Sequence, residues 1–246
     1  VIERESRDGV VVLRMANGKV NALDLDMLTA LIDELDALAV AGPPLVLTGR
    51  GATFSAGVDL KRIVTEQRKY IEEFLRALSV AFCTLFRYPG PAVAAVNGPA
   101  IAGGYVLAAA CDHRVAADGA TRLGLSELQV GVPFPTAAIE IVRHAVGTPA
   151  AGRFALSAEL LDAAAALAAG LVDEVVPAPA LLARAASHAS TRAERGLDAY
   201  RLTKRQVQRP ALEKIERAAP DDDPVIRSVW MQPASLDRIR GFLMRL

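Results

Sequence analysis

Residues 91–112, reading PAVAAVNGPAIAGGYVLAAACD, constrain the fold of this chain more than any other stretch. Ala92, Val93, Ala94, Ala95 and Val96 form a short apolar run that predicts a buried strand, and Asn97-Gly98-Pro99 breaks it with turn residues. Ala102-Gly103-Gly104 then opens an Ala/Leu-rich segment over 105–111 that favours a helix. Residues 91–111 carry no charge and match a bilayer in length alone. Pro91, Asn97, Gly98, Pro99 and the glycine pair would leave backbone groups unsatisfied in lipid, so the stretch reads as the interior of a soluble core: strand, tight loop, helix.

A helix that begins with glycines presents unpaired N–H groups, and the helix dipole adds partial positive charge at the same end. Two readings follow. Gly103 and Gly104 either let the helix pack closely on its neighbours or admit a ligand oxygen to the backbone. A second stretch bears on the choice. Residues 44–48 read as another buried strand, followed by the small-residue loop Gly49-Arg50-Gly51-Ala52-Thr53-Phe54-Ser55-Ala56-Gly57-Val58-Asp59-Leu60. Two such loops, each leaving a buried strand, can each aim an amide at one oxygen.

With these residues the sequence resembles the crotonase (enoyl-CoA hydratase/isomerase) superfamily. The resemblance rests on residues 54–60 (FSAGVDL), on Asn97-Gly98 through Ala102-Gly103-Gly104, on Cys111-Asp112 and on Leu125-Ser126-Glu127-Leu128, in family order and over nearly the whole chain. It implies an α/β fold, a crotonase-like spiral of repeated ββα units, over residues 1–195, with a C-terminal helical cap over 196–246 that builds homotrimers or dimers of trimers. It also implies an acyl-CoA thioester as substrate. Coenzyme A is then part of the substrate, and no metal or redox cofactor is called for. By motif position, the Ala56 and Gly103 amides would hold the thioester oxygen, while Ala22, Ala56, Gly57, Val58, Asp59, Leu60, Gly103 and Gly104 would line the substrate site. Hydratases of the family place two glutamates around that oxygen. Here the first position is Val106, and only the second is acidic, as Glu127. This pattern is closest to the Δ3,Δ2-enoyl-CoA isomerase branch.

The rest of the chain is consistent with that architecture. Residues 1–16 alternate about Ser6-Arg7-Asp8-Gly9 and predict a hairpin. Asp24 is placed to cap a helix carrying Leu25, Leu28, Ile32, Leu35 and Ala39. Residues 65–88 predict a long helix, 113–117 and 121–126 further strands, 135–146, 150–157 and 163–169 helices, and 171–176 a last strand. From 180 onward the pattern is helical except at Pro220-Asp221-Asp222-Asp223-Pro224, which reads as a solvated loop. Phe242, Leu243 and Leu246 give the end an apolar face. Alternating strands and helices argue for α/β crossovers.

Lys+Arg and Asp+Glu both total 28, so no charge excess argues for nucleic acid or an anionic membrane. Cys83 and Cys111 lie in apolar contexts and no secretory signal is evident, which predicts a reduced, cytoplasmic setting.

Apart from the resemblance, Glu127 reads as a surface or ion-paired acid with Arg122 as partner. Asp59 reads as a helix cap, Asp112 as a partner for backbone or Arg114, and Glu140 as part of a solvated helix face. Lys61 and Arg62 are either CoA-phosphate contacts or plain surface. His113, His144 and His188 show no metal-ligand spacing. Residues 53–57, TFSAG, approach the G-x-S-x-G elbow of serine hydrolases around Ser55, but no histidine and acid pair is placed to complete it. Gly49-Arg50-Gly51 begins like a dinucleotide loop, yet Phe54 fills the third glycine position. A non-catalytic acyl-CoA binder is the rival from another class.

Overall fold

The computed structural model describes residues 1–245; Leu246, and the terminal apolar contact expected of it, lie outside the described residues. The chain opens with the expected hairpin, β1 (Ile2–Arg7) and β2 (Val10–Met15), paired antiparallel. Helix α1 (Leu25–Ala39) follows, with the Asp24 carboxylate accepting from Met27 N at 2.9 Å, the N-cap predicted from sequence. Then come β3 (Leu45–Gly49), α2 (Leu60–Thr65), α3 (Arg68–Phe86), β4 (Ala92–Val96), the short β5 (Ala100–Ile101), α4 (Gly103–Ala109), β6 (His113–Ala117) and β7 (Leu123–Gly124). A 3-10 turn over Glu127–Val130 leads to α5 (Thr136–Val146), α6 (Thr148–Ser157), α7 (Ala163–Ala168) and β8 (Glu174–Val176). Helices α8 (Leu181–Ala193), α9 (Leu197–Trp230) and α10 (Pro233–Leu243) complete the chain.

The main sheet has the order β1-β2-β3-β4-β6-β8, parallel beyond the opening hairpin, and β5 pairs with β7 in a small second sheet. Side-chain alternation assigns its two faces. Val10, Val12, Val46, Val93, Ala95 and Val115 point to one side, where the small Ala185 and Ala189 of α8 let that helix approach. Leu13, Leu45, Leu47, Ala94 and Val96 point to the other, into a larger core shared with α1, α3, α4 and α5. Burial on both faces explains why β3 and β4 read as continuous apolar runs. No helix of the described residues is long and apolar enough to cross a membrane.

Four expectations change. The strand expected over 121–126 shrinks to Leu123–Gly124 and that over 171–176 to Glu174–Val176, since only those residues find ladder partners. The helix expected over 65–88 is separated from α2 near Glu66 and runs over Arg68–Phe86. The solvated loop expected at Pro220-Asp221-Asp222-Asp223-Pro224 is helical, inside a 34-residue α9 that also contains Pro210. A proline costs an isolated helix about 3 kcal/mol. Tertiary docking offsets this: Lys204, Gln208, Ala211 and Ile215 are buried, and the Asp223 carboxylate accepts from Thr136 N and Oγ1 at 3.1 and 2.7 Å.

Candidate active site

The C-terminal ends of β3 and β4 deliver the two small-residue loops to the same place. Asn97, just past β4, stitches them: its Oδ1 accepts from Gly49 N at 3.0 Å and its Nδ2 donates to Gly51 O at 2.9 Å. Ile101 N donates to Ser55 O at 3.0 Å, and Ser55 bridges Ala100. Two glycines permit this closeness. A Cβ on Gly104 would lie 2.3 Å from Ser55 O, and one on Gly57, whose φ is +80°, would lie 2.7 Å from Ile101 O and 3.3 Å from Gly103 N. Of the two sequence readings for the glycine pair, close packing therefore accounts for Gly104.

Beside these loops lies a cavity of about 700 Å³. Its mouth carries the exposed Lys19 and Lys61; its interior is apolar, with Ile101, Val132 and Trp230 among the walls. Of the residues expected to line a substrate site, Ala22, Ala56, Val58, Asp59 and Leu60 border the cavity; Gly57 and Gly104 are taken up by the loop contact, and Gly103 follows the wall residue Ala102 with its Cα toward Leu23, Leu78 and Phe82. Ala102, at the wall, has φ 54° and ψ −126°, a conformation that L-residues rarely adopt. It is held by Ala102 N donating to Gly124 O at 2.8 Å and Val106 N donating to Ala102 O at 3.1 Å. Strain of this kind, about 1–3 kcal/mol, persists only where surrounding structure imposes it.

The amides require a correction. Ala56 N–H, expected to face a ligand oxygen, instead donates to Val20 O at 2.9 Å. The segment runs alongside residues 20–23, as the bridge between Leu23 and Val58 shows, and this pairing consumes the Ala56 donor. Two residues on, Val58 N has no acceptor among the described residues, and neither has Gly103 N at the start of α4. Periodicity could not identify Val58; its free amide follows from which flanking donors the 20–23 segment takes.

Glu127 begins the 3-10 turn and borders the cavity, 7% exposed. Among the described residues Glu127 forms no ion pair with the partner expected from sequence, Arg122, and its Oε2 has no hydrogen-bond partner. Burial pushes its carboxyl up to about 8 from an ordinary 4.5, against a smaller lowering by the amides of Glu127 and Ser126. Val106, in the position of a second acid, is a fully buried hydrocarbon. Asp59 Oδ1 accepts from Lys61 N and Arg62 N at 3.0 and 3.2 Å, the helix cap predicted for it. Arg62 pairs with Asp24, Asp26 and Glu66, leaving Lys61 as the cation of that pair at the cavity.

Other polar residues are occupied elsewhere. Asp112 accepts from Ala92 N, Tyr200 Oη and Lys204 Nζ, whereas Arg114 pairs with Asp173. Glu140 is buried and paired with Arg143 rather than solvated. Ser55 Oγ donates to Asn21 O at 2.7 Å, and no histidine is its partner. The fold does gather His113, Glu174 and His188, with ligand atoms within 4.8 Å of one another, a cluster that sequence spacing gave no hint of. Glu174 and His188 are already engaged, while His113 Nε2 has no hydrogen-bond partner among the described residues. Arg184 Nε holds both Glu174 oxygens at 2.8 and 3.0 Å, and Arg192 Nη1 faces His188 Nδ1 at 3.2 Å. An arginine only donates, so His188 Nδ1 accepts and Nε2–H donates to Glu174 at 2.7 Å. Arg184, Glu174, His188 and Arg192 thus form one hydrogen-bonded network.

Comparison with known proteins gives a consistent picture. The profile of the enoyl-CoA hydratase/isomerase family matches residues 5–231. A Thermus thermophilus protein named "Putative enoyl-CoA hydratase" is 40% identical over 190 residues, covering 75% of this chain and 74% of its own. Mitochondrial enoyl-CoA delta isomerase 1 of Rattus norvegicus is 32% identical over 183 residues, covering 72% of this chain and 63% of its own. The crystal structure of human mitochondrial Δ3-Δ2-enoyl-CoA isomerase is similar with a TM-score of 0.94 at 27% identity, covering 99% of this chain and 97% of the human one.

Proposed function

The chain belongs to the enoyl-CoA hydratase/isomerase family, and from that premise we propose that it shifts the double bond of a 3-enoyl-CoA to give the 2-enoyl-CoA. The observation that carries the reading is the solitary, desolvated carboxyl of Glu127 in an apolar cavity beside two unoccupied amides. In the ionised form Glu127 takes a proton from C2 of the thioester. The electron pair left behind spreads over the carbonyl, C2 and the C3–C4 double bond, giving a dienolate. Val58 N–H and Gly103 N–H donate to its oxygen, each such donor lowering the barrier by about 3 kcal/mol. Glu127 then returns the same proton at C4, and the double bond lies between C2 and C3. No water is gained or lost.

Hydration needs one group to activate water and another to manage the α-proton, whereas a bond shift needs a single shuttle. Val106 and the capping role of Asp59 leave Glu127 as the free acid of this cavity among the described residues. Hydratase activity is the second reading, favoured by the 40% identity with the Thermus protein. Lys19 and Lys61 at the mouth suit the phosphates of coenzyme A. The proposal extends to a core over 1–195 with a helical cap over 196–246 that assembles as a homotrimer or dimer of trimers; a monomer in sedimentation equilibrium would remove the assembly.

The chemistry is tested by incubating the protein separately with 3-enoyl-CoA and 2-enoyl-CoA and following mass and ultraviolet absorbance. Conversion of the first at constant mass, lost in Glu127→Gln, is expected. Robust addition of water to the second would replace isomerase with hydratase, and binding without turnover of either would leave an acyl-CoA binder.

A further inference from the structure

The segment that carries Glu127 lies between α6, where Gln129 Nε2 donates to Ala158 O at 2.7 Å, and the C-terminal helices of the same chain, which hold its other side. Val132 N donates to Glu127 O at 3.2 Å, closing the turn, and Gly131 packs so near α10 that a Cβ there would lie 2.7 Å from Arg238 Cδ. Immediately beyond, Trp230 Nε1 donates to Pro133 O at 2.9 Å, and the Asp223 carboxylate accepts from Thr136 N and Oγ1 at 3.1 and 2.7 Å. Asp223 and Trp230 lie seven residues apart on α9, two helical turns, and so share one face.

The acceptor at the start of α5 is one that its own sequence cannot supply. Pro135 occupies the cap position and has no side-chain acceptor, so the first N–H of the helix is satisfied from α9. Of the three consecutive aspartates only Asp223 turns inward; Asp221 and Asp222 are exposed. Trp230 is 1% exposed, and besides its bond to Pro133 it forms part of the cavity wall. A rigid indole fixed at its N–H both locks the backbone and keeps water out of the space around the acid.

We propose that Asp223 and Trp230 are positioning residues for Glu127: acting through residues 131–136, they hold its carboxylate against the cavity and exclude water from it. The inference rests on Glu127 being the proton carrier. Lys19, Asp59 and Lys61 line the same cavity and Arg238 of α10 packs on Gly131, and none of them forms an ion pair with the acid. Exclusion of water is therefore what sets its acidity, and loosening the segment admits water and lowers the pKa.

The experiment is an infrared titration of the Glu127 carboxyl band, assigned by its loss in Glu127→Gln, which reads the acid with or without turnover. In the unaltered protein the protonated band disappears as pH rises through about 8. Asp223→Ala shifts that midpoint down by about one unit and lowers kcat for 3-enoyl-CoA about tenfold with KM changed less than about twofold. Asp223→Asn keeps an acceptor oxygen and stays within about half a unit of the unaltered midpoint. Trp230→Phe keeps the bulk, loses the donor and shifts the midpoint in the same direction by less, which keeps the test available if Asp223→Ala does not fold. A purely structural role would lower the folded fraction and leave the midpoint in place; unchanged midpoints in the folded variants overturn the proposal. A shifted midpoint without conversion of any enoyl-CoA leaves the positioning intact and removes the isomerase reading.

Discussion

Two acids, one partly buried and one buried, stand in this molecule under opposite conditions. Asp112, at the start of β6 beside a cavity of about 270 Å³, accepts from Ala92 N and Tyr200 Oη at 2.8 Å each and from Lys204 Nζ at 2.9 Å. Glu127, beside the cavity of about 700 Å³, has an oxygen with no partner at all among the described residues. Asp112 is partly buried and fully satisfied; Glu127 is buried and is not. Saturated by a lysine, a phenol and an amide, Asp112 joins α9 to the sheet. Deprived of a counterion, Glu127 holds its proton up to about pH 8 and can exchange it near neutrality. The difference separates a structural carboxylate from a poised one by the company each keeps.

The largest expected effect comes from abolishing the poised member. Glu127→Gln lowers kcat for 3-enoyl-CoA by about 10²–10⁴ in steady-state assays, and the fold is kept because glutamine preserves the shape and an acceptor oxygen. Next, Lys204→Met breaks the saturated member. It strips the ammonium from Asp112 and lowers unfolding free energy in denaturant melts by about 3 kcal/mol, while activity per folded molecule is unchanged. Tyr200→Phe removes one neutral donor from the same carboxylate and costs less, about 1.5–2 kcal/mol by the same measurement.

The smallest effect tests the comparison through pH. Glu127 is the acid whose folded pKa is raised, so below about pH 4.5 folded and unfolded chains are both protonated and no penalty exists. Between about 4.5 and 8 the unfolded chain releases the proton that the folded chain keeps, and stability contributed by this group declines; above about 8 the loss is complete. Denaturant midpoints measured across that window should fall with pH in the unaltered protein relative to Glu127→Gln. Equal slopes would mean that the carboxyl is not held in a dry site.

Much of this contrast was out of reach of the sequence, for a definite reason. Asp24 and Asp59 were legible as caps because a cap and the amide that donates to it lie within three residues. The strand, break and helix of residues 91–112 were legible because periodicity and turn residues act over one or two turns. Whether Glu127 meets Arg122 depends on the path of the intervening chain. The Ala56 donor is consumed by Val20 across a separation that no local pattern records. Pro220 and Pro224 argued against a helix there, and docking of α9 through Lys204, Gln208 and Asp223 onto distant elements reverses that local preference.

The amino-acid sequence alone determined the alternating strands and helices, the two small-residue loops and the presence of one acid where a second is replaced by Val106. It could do so because hydrophobic period, turn chemistry and residue identity are properties of neighbours along the chain. The tertiary structure decided which amides stay free, which carboxylate is dry and which is paired, and what holds Glu127 from behind. Those are questions of partners brought together from far apart, and desolvation exists only once the chain has closed around the group.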